Sequence, residues 1–591
     1  MGKEMITAEQ IKENLSVPFD GGEILKSAKK WKRILQEEQS DFIDKKVAIL
    51  GGSTTKHVRD TLELFLLREG VRCEFYESEY NRFWEEGVFE NRALEQFSPD
   101  IIYVFTSYRN LDFDEPLERQ YERYELLWEK LQQRYHCTIL QNNFELPFYR
   151  LLGNQDAVLS KGDTYYVNQM NEKLYTYARN SKNFFIVDLH YLAAEFGLSR
   201  WYDLNTWYLY KYAFSLEAVP LVAWNVSRII KAMCGKNKKG FVLDLDNTLW
   251  GGVIGEDGPD HIEIGEGTPV GEAYLEFQRY LKRHEELGIV LNICSKNDLS
   301  IALEGIQKEE NLLKQDDFFQ IQSNWKRKDE NLKIIADKLN VSVESLVFLD
   351  DNPAEREIVN QNIPNVETPS FDSVEHYIQL VDQNHFFEVL SLSEEDQKRA
   401  DMYRENKLRK REEDKFQDYG SYLHSLQMTA RIHPFQEAEW DRIFQLIQKS
   451  NQFNLTTKRY TMSDIQEMSG NSDYLTLSGR LKDKFGDNGI VSLIVAQKEE
   501  NTVHIRLWVM SCRVLGRNME LAMFDALLAR CRQCGINTLK GYYFPTNKNG
   551  MVRDLFQTLG FEHETGDTWC YTIPDNGQEM NEHIVIEKEE A

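Results

Sequence analysis

Phe241-Val-Leu-Asp244-Leu-Asp246-Asn-Thr248-Leu-Trp-Gly-Gly252 is an apolar run that ends in two carboxylates one residue apart. Side chains alternate along a strand, so Asp244 and Asp246 leave on the same face of its end. That spacing suits phosphoryl transfer, in which one carboxylate attacks phosphorus and the other handles the leaving group's proton. Thr248 and the glycines then turn the chain away. The competing reading is an ordinary turn or helix-capping aspartate.

Three downstream blocks favour the chemical reading, in the order the chemistry requires. Gly288-Ile-Val-Leu-Asn-Ile-Cys-Ser295 reads as a second buried strand ending in a hydroxyl. Lys328, in Asn324-Trp-Lys-Arg-Lys-Asp-Glu-Asn331, opens a helix whose apolar positions are Leu332, Ile334, Ile335 and Leu339. Ser345-Leu-Val-Phe-Leu-Asp350-Asp351-Asn352 is a strand with paired carboxylates at its tip. Ser295 can hydrogen-bond phosphoryl oxygens and Lys328 can neutralise their charge. Asp350 or Asp351 can complete a hard oxygen site for Mg²⁺ with Asp244 and Asp246. The sequence does not choose between the last pair; Asp351 is the favoured ligand, with Asp350 in support.

These four blocks resemble the haloacid-dehalogenase (HAD) superfamily, and DLDNTLWGGVIGEDG with FLDDNPAERE looks like its FkbH-like branch. Members that enclose small substrates insert a cap domain after the first or second block. Here 48 residues (247–294) separate Asp246 from Ser295 and 32 (296–327) separate Ser295 from Lys328. A glycine-rich flap, Gly251 to Gly267, and a helix over 272–287 consume most of the first gap. No cap fits, and an open site suits a substrate carried on something large.

At 591 residues the chain should hold roughly three to four domains, so the expectation is a multidomain α/β protein. An apolar fraction of 41%, with 32 Phe and 28 Tyr, is globular, and a net charge of −26 excludes non-specific nucleic-acid binding. No run of ~18 apolar residues would span a membrane and the N-terminus lacks an apolar signal core, which points to the cytoplasm. The cysteines at 73, 137, 234, 294, 512, 531, 534 and 570 are scattered without a disulfide framework. Cys531-Arg-Gln-Cys534 has no second pair to make a zinc site.

Five segments follow along the chain. Residues 1–235 alternate short strands with helices, as a parallel α/β layer structure does. The HAD-like unit spans 236–385, a charged helical linker 386–419, a second α/β unit 420–575, and an acidic, mobile tail 576–591. In the first segment, Ile49-Leu-Gly-Gly-Ser53 resembles the nucleophile block of SGNH hydrolases, which share a flavodoxin-like parallel sheet. The family's closing Asp-x-x-His corresponds here to Asp203-Leu-Asn-Thr206, without the base; His190 is the remaining substitute. The expectation is a degenerate scaffold used for docking.

In the C-terminal unit, a strand runs into Ser511-Cys512-Arg513-Val-Leu-Gly516-Arg517-Asn518 before a helix, a loop whose backbone N–H groups suit a phosphate. It looks like the acyl-CoA loop of GNAT acyltransferases, departing from it at Asn518, where Gly or Ala is usual. Arg513, Gly516, Arg517 and Asn518 are therefore candidate phosphate-binding residues, with a phosphopantetheine arm as the alternative to CoA. From 241 to about 565, including NQFNLTTKRYT and DKFGDNG, the chain resembles FkbH-like proteins. That resemblance implies a phosphorylated three-carbon substrate, 1,3-bisphosphoglycerate, whose phosphates are removed and whose glyceryl unit is loaded as a thioester on an acyl carrier protein. No carrier-type attachment serine occurs in this chain, so the carrier is a separate protein.

Cys294 and Cys512 are the candidate thiols for a transient glyceryl thioester. The bland reading makes each a small buried apolar residue. Alternation points Cys294 away from Ser295, which favours Cys512. Two other readings stay open: a plain phosphatase acting on a sugar or acyl phosphate, with the C-terminal unit recognising a partner, and a docking module on a degenerate SGNH fold.

Overall fold

The computed structural model describes residues 6–38, 42–390, 405, 408–409, 412–413, 415–546, 548–574 and 579–587. It divides into two compact units, Met1–Cys234 with Thr461–Ser463, and Gly235–Tyr460 with Asp464–Ala591.

The first unit is built on five parallel strands: β1 (Ile43–Gly51), β2 (Val71–Glu77), β3 (Ile101–Phe105), β4 (Thr138–Asn142) and β5 (Phe184–Val187), in the order β2-β1-β3-β4-β5. Helices cover such a sheet on both faces, so its strands read as continuous apolar runs rather than alternating ones. Val47 to Leu50 and Ile102 to Val104 are accordingly inaccessible to solvent. The order reverses between β1 and β3, the switch point of a doubly wound sheet.

The second unit opens with four parallel strands, β6 (Gly240–Leu243), β7 (Val290–Ser295), β8 (Phe318–Ser323) and β9 (Leu346–Leu349), in the order β8-β7-β6-β9. Strand β6 is central, and its neighbours β7 and β9 pair with it residue by residue from Gly240 to Leu243. The helix Pro269–Glu286 packs one face through Phe277 and Leu281, and the helix Lys328–Leu339 packs the other through Leu332 and Ile335. Phe386 and Phe387 still pack in this core, so the unit runs slightly past the expected boundary at 385. Between Asp246 and Lys328 the chain forms only the flap, two helices of more than one turn and two strands, and no cap domain stands over the site among the described residues.

The remainder is a largely antiparallel sheet. Its strands are β10 (Met428–His433), β11 (Phe453–Asn454), β12 (Tyr474–Asp483), β13 (Gly486–Glu499), β14 (Thr502–Met510), β15 (Thr538–Tyr542), β16 (Glu562–His563), β17 (Thr568–Thr572) and β18 (Ile584–Ile586). They run in the order β16-β17-β15-β14-β13-β12-β10-β18, with β11 beside β14. Strands β14 and β15 pair in parallel only from Thr502 to His504 and then part. Leu455 bridges the gap: its N–H donates to Trp508 O at 3.3 Å and its carbonyl accepts from Phe544 N at 2.9 Å.

Two expectations change here. The acidic tail is not mobile throughout, because Ile584–Ile586 pairs in parallel with Met428–Ala430 and buries Ile584. Most of the charged linker lies outside the described residues, but Arg409 within it is buried, its Nε 2.7 Å from Asp483 Oδ2. No helix among the described residues is long and apolar enough to cross a membrane.

Candidate active site

Parallel α/β sheets place their sites at the carboxyl ends of the strands. Asp244 follows β6, Ser295 ends β7, Asp350 and Asp351 follow β9, and Lys328 is the first residue of the helix after β8. The fold thus gathers at one edge residues that lie up to about a hundred positions apart in sequence.

One oxygen from each of Asp244, Asp350 and Asp351 lies within 4.8 Å of the others. Lys328 Nζ donates to Asp244 Oδ2 at 2.7 Å and also to Asp350 Oδ2. The other Asp244 oxygen accepts from Leu245 N at 2.8 Å, and the other Asp350 oxygen from Asn352 N at 2.9 Å. Asp350 has no exposed surface and Lys328 only 2%. Burial, then the Asp244 charge, lift the Asp350 carboxyl to about 7 against the opposing pull of Lys328. Burial and Asp244 raise Asp351 as well. Burial pulls the Lys328 ammonium down, but Asp244 and Asp350 outweigh it and its pKa is raised. The cluster holds more negative charge than its single cation balances, and its donors are hard oxygens, as a divalent cation such as Mg²⁺ requires. Arg356 stiffens the tip of β9 from behind, with Nη1 2.6 and 2.8 Å from the carbonyls of Asp350 and Asp351.

Asp246 stands outside that three-acid group: its carboxylate is turned to the flap, where Oδ1 accepts from Trp250 Nε1 and Ile254 N, both at 3.0 Å. Oδ2 accepts from Asn297 Nδ2 at 2.8 Å. The flap is a short hairpin closed by paired hydrogen bonds between Gly251 and Glu263. Gly252 takes φ +91, where a side chain would be strained, so that its N–H can reach Asn247 Oδ1 at 3.0 Å. Ser295 is 1% exposed, and its Oγ accepts from the same Asn297 amide at 3.1 Å. Asn297 was not singled out from the sequence; an asparagine after a strand carries no signal that it bridges two other residues.

Neither candidate thiol is placed for transfer at this site. Cys294 points to the opposite face of β7, inaccessible to solvent among Leu332, Ile335 and Phe348, with Sγ 3.8 Å from Lys328 O. Burial pushes its thiol pKa far up. Cys512 is half-buried against the edge of the same apolar cluster, and its carbonyl accepts from Asn340 Nδ2 at 2.6 Å. Asn340 caps the C-terminal end of the helix that Lys328 begins. At 1.5 Å per residue that helix holds Cys512 roughly 18 Å from the carboxylates.

The expected phosphate loop is also partly spent. Arg517 is buried, donating from Nη1 to Asp483 Oδ2 at 3.1 Å and to Asn488 Oδ1 at 3.3 Å. Burial, and the neighbouring Arg409, lower its pKa to about 10. The Gly516 carbonyl accepts from Tyr419 OH at 2.6 Å, and Asn518, at φ +61, precedes the helix Met519–Gln533 without a side-chain cap bond. Arg513 is half-buried and bonds through Nε to Ser511 Oγ at 3.1 Å.

In the first unit, Ser53 lies just beyond β1, 3% exposed, with no hydrogen-bond partner for Oγ. Asp203 is consumed as the N-cap of the helix Leu204–Tyr210, accepting from Asn205 N at 3.0 Å. His190 follows β5, three strand spacings from β1 and thus about 14 Å across the sheet. Its ring faces the Phe144 carbonyl at 3.3 Å. No base reaches Ser53 from the residues the sequence suggested. The protein and its Ser53→Ala variant are expected to hydrolyse 4-nitrophenyl acetate at the same rate; activity lost with Ser53 would restore the hydrolase reading.

Residues 46–231 match the family model described as FkbH, N-terminal domain. No curated protein matches the chain. Among solved structures, the N-terminal part of a Bacteroides fragilis protein, containing a phosphatase domain and complexed with Mg, is 28% identical with a TM-score of 0.56, over 66% of this chain and 100% of that one. The ribosomal-protein-S18-alanine N-acetyltransferase of Escherichia coli aligns at 12% identity over 26% of this chain and 99% of that one, with a TM-score of 0.21. Ard1 of Thermoplasma volcanium aligns at 17% identity over 25% and 99%, also with a TM-score of 0.21. Neither acetyltransferase superposes well enough to place the C-terminal sheet in a family. The chain is thus a multidomain α/β protein with a HAD-like phosphatase domain, and its residues 46–231 are similar to the FkbH N-terminal domain.

Proposed function

We propose that this protein is a Mg²⁺-dependent phosphatase that acts on a phosphorylated three-carbon acyl unit, 1,3-bisphosphoglycerate, and delivers the glyceryl group as a thioester to a separate acyl carrier protein. The observation that carries the phosphatase step is Lys328 lodged between Asp244 and Asp350, with Asp351 beside them, at an edge that no cap covers among the described residues. The FkbH N-terminal domain match supports the carrier half.

Asp244 attacks phosphorus, the bond from phosphorus to the substrate oxygen breaks, and Asp246 gives its proton to the departing alkoxide. In the second half Asp246 takes a proton from the water that attacks phosphorus, which frees phosphate and restores Asp244. Lys328 and Ser295 bind the phosphoryl oxygens. Mg²⁺ would be held by Asp244 and Asp351, with Asp350 in support because Lys328 and Asn352 already engage it, and when bound it supplies positive charge against the phosphoryl oxygens. At C1 the carrier's thiolate attacks the acyl carbon, and the carbon–oxygen bond breaks with phosphate leaving. The seclusion of Cys294 and the remoteness of Cys512 support direct transfer to the carrier.

Proton release on metal binding follows from the raised Asp350 carboxyl. Below about pH 7 that group is protonated and Mg²⁺ must displace the proton, so affinity weakens by up to about tenfold per pH unit as pH falls. Calorimetric Mg²⁺ titrations at pH 6 and pH 8 measure this; equal affinities would contradict it.

The test of the whole reading is intact mass spectrometry of a phosphopantetheinylated carrier after incubation with the protein, Mg²⁺ and a 1,3-bisphosphoglycerate-generating mixture. A glyceryl mass on the carrier supports it. Phosphate release with an unchanged carrier favours the second reading, a phosphatase for a sugar or acyl phosphate whose C-terminal sheet recognises a partner. Leu455 filling the gap between β14 and β15 favours that second reading, since it leaves no open slot there for a pantetheine arm.

A further inference from the structure

We propose that Asn297 is a positioning residue of this site, aiming the proton-transferring oxygen of Asp246 and the hydroxyl proton of Ser295 through one amide, and thereby setting how poor a leaving group the site can expel. The inference rests on the phosphatase reading above.

A carboxylate oxygen offers two in-plane lone pairs. Both on Asp246 Oδ1 are taken by the flap, by Trp250 Nε1 and Ile254 N. Oδ2 has one partner among the described residues, Asn297 Nδ2 at 2.8 Å. Oδ2 is therefore the oxygen with a lone pair left to exchange a proton with substrate, and Asn297 is the donor that fixes its direction. Because a carboxylate only accepts, the face of Asn297 turned to it must be the NH₂ group. The second N–H of that group goes to Ser295 Oγ at 3.1 Å. A hydroxyl that accepts there keeps its own proton for another acceptor, and a phosphoryl oxygen at the strand ends is one.

The amide itself is rigidly held. Asn297 is 5% exposed, and its backbone carbonyl accepts from Ser323 Oγ at 2.8 Å. That main-chain bond survives replacement of the side chain. Asn297→Leu keeps the branched heavy-atom outline and removes both donors. Asn297→Asp sets an acceptor against Asp246 and against Ser295.

Leaving-group dependence reads this role. A 4-nitrophenolate departs without a proton, whereas an alkoxide needs one from Asp246, and kcat/KM reports the steps through departure. With Mg²⁺ present, Asn297→Leu is expected to lower kcat/KM for glycerol 3-phosphate about 100-fold, the size of a general-acid contribution. For 4-nitrophenyl phosphate the expected loss is less than about fivefold, the share of one neutral hydrogen bond to Ser295. Asn297→Asp should lose more than Asn297→Leu on both substrates. Asn297→Ser, which keeps a shorter donor, should fall between wild type and leucine and guards against a variant that fails to fold. Equal losses on the two phosphates, or none on either, would overturn the proposal. A wild-type protein that releases phosphate from neither substrate removes the phosphatase reading itself, and the proposal with it, a result distinct from a flat leaving-group dependence in an active enzyme.

Discussion

Replacing Asp244 with asparagine is expected to abolish Mg²⁺-dependent phosphate release, by about 10⁴-fold or more, the scale on which removing a covalent nucleophile acts. The substitution is nearly isosteric and keeps one oxygen, so the strand end at β6 and the Leu245 N–H contact need not move. What it removes is the charge that attacks phosphorus and, with it, one of the three acids that lie within 4.8 Å of one another. Loss of the metal alone could mimic this result, so Mg²⁺ titration must accompany the kinetics. A variant saturated with Mg²⁺ and still inactive has lost its nucleophile. A variant that regains more than about a tenth of wild-type turnover at high Mg²⁺ would reassign Asp244 to metal binding only. Asp246→Asn supplies the contrast: the acid/base step contributes about 10²- to 10⁴-fold, and more for alkyl than for aryl phosphates.

The strand ends were readable because their physics is local. A buried parallel strand must be apolar on both faces, so a polar residue at its carboxyl end stands out, as Asp244, Ser295 and Asp350 do. Lys328 was readable for a related reason, as a cation at the start of a helix with a regular apolar stripe. Orientation was not readable. Alternation places Asp244 and Asp246 on one face, yet the flap supplies Trp250 and Ile254 as donors and turns the second carboxylate away from the acids. Nothing local reveals that a loop four to eight residues on will fold back over its own origin. Cys512 failed on distance, since the length of one helix decides it and the sequence does not say which end of that helix the C-terminal sheet meets. The loop at Arg513 to Asn518 reads as an anion site until Asp483, brought in by another strand, claims Arg517. The acidic tail was read from composition, which cannot register that Ile584 finds an open strand edge at Met428.

Lys328 carries the second large effect, and on stability as well as turnover. Its ammonium is the sole cation paired with the carboxylates of Asp244 and Asp350 among the described residues, and all three groups are at least nine-tenths buried. Lys328→Met preserves much of the stem but leaves two carboxylates facing each other in a buried site, at a cost of about 3–5 kcal/mol. Part of that cost is avoidable by taking up a proton. The Asp350 carboxyl is already lifted to about 7 with the lysine present, and without it must rise further. A carboxyl whose folded pKa exceeds its unfolded value near 3.9 makes the folded state bind more protons, so stability falls as pH rises toward the folded pKa. The deficit of the variant relative to wild type is therefore expected to be small at pH 6 and large at pH 8.5. Mg²⁺ should stabilise the variant more than the wild type at the higher pH, because it replaces the missing charge. Thermal unfolding at the two pH values, with and without Mg²⁺, measures all of this. A deficit that is the same at both would mean that packing, not charge balance, is what Lys328 contributes to the fold. Turnover should not recover with the metal: Mg²⁺ can balance the acids, but it cannot give the hydrogen bonds that Lys328 would give to the phosphoryl oxygens.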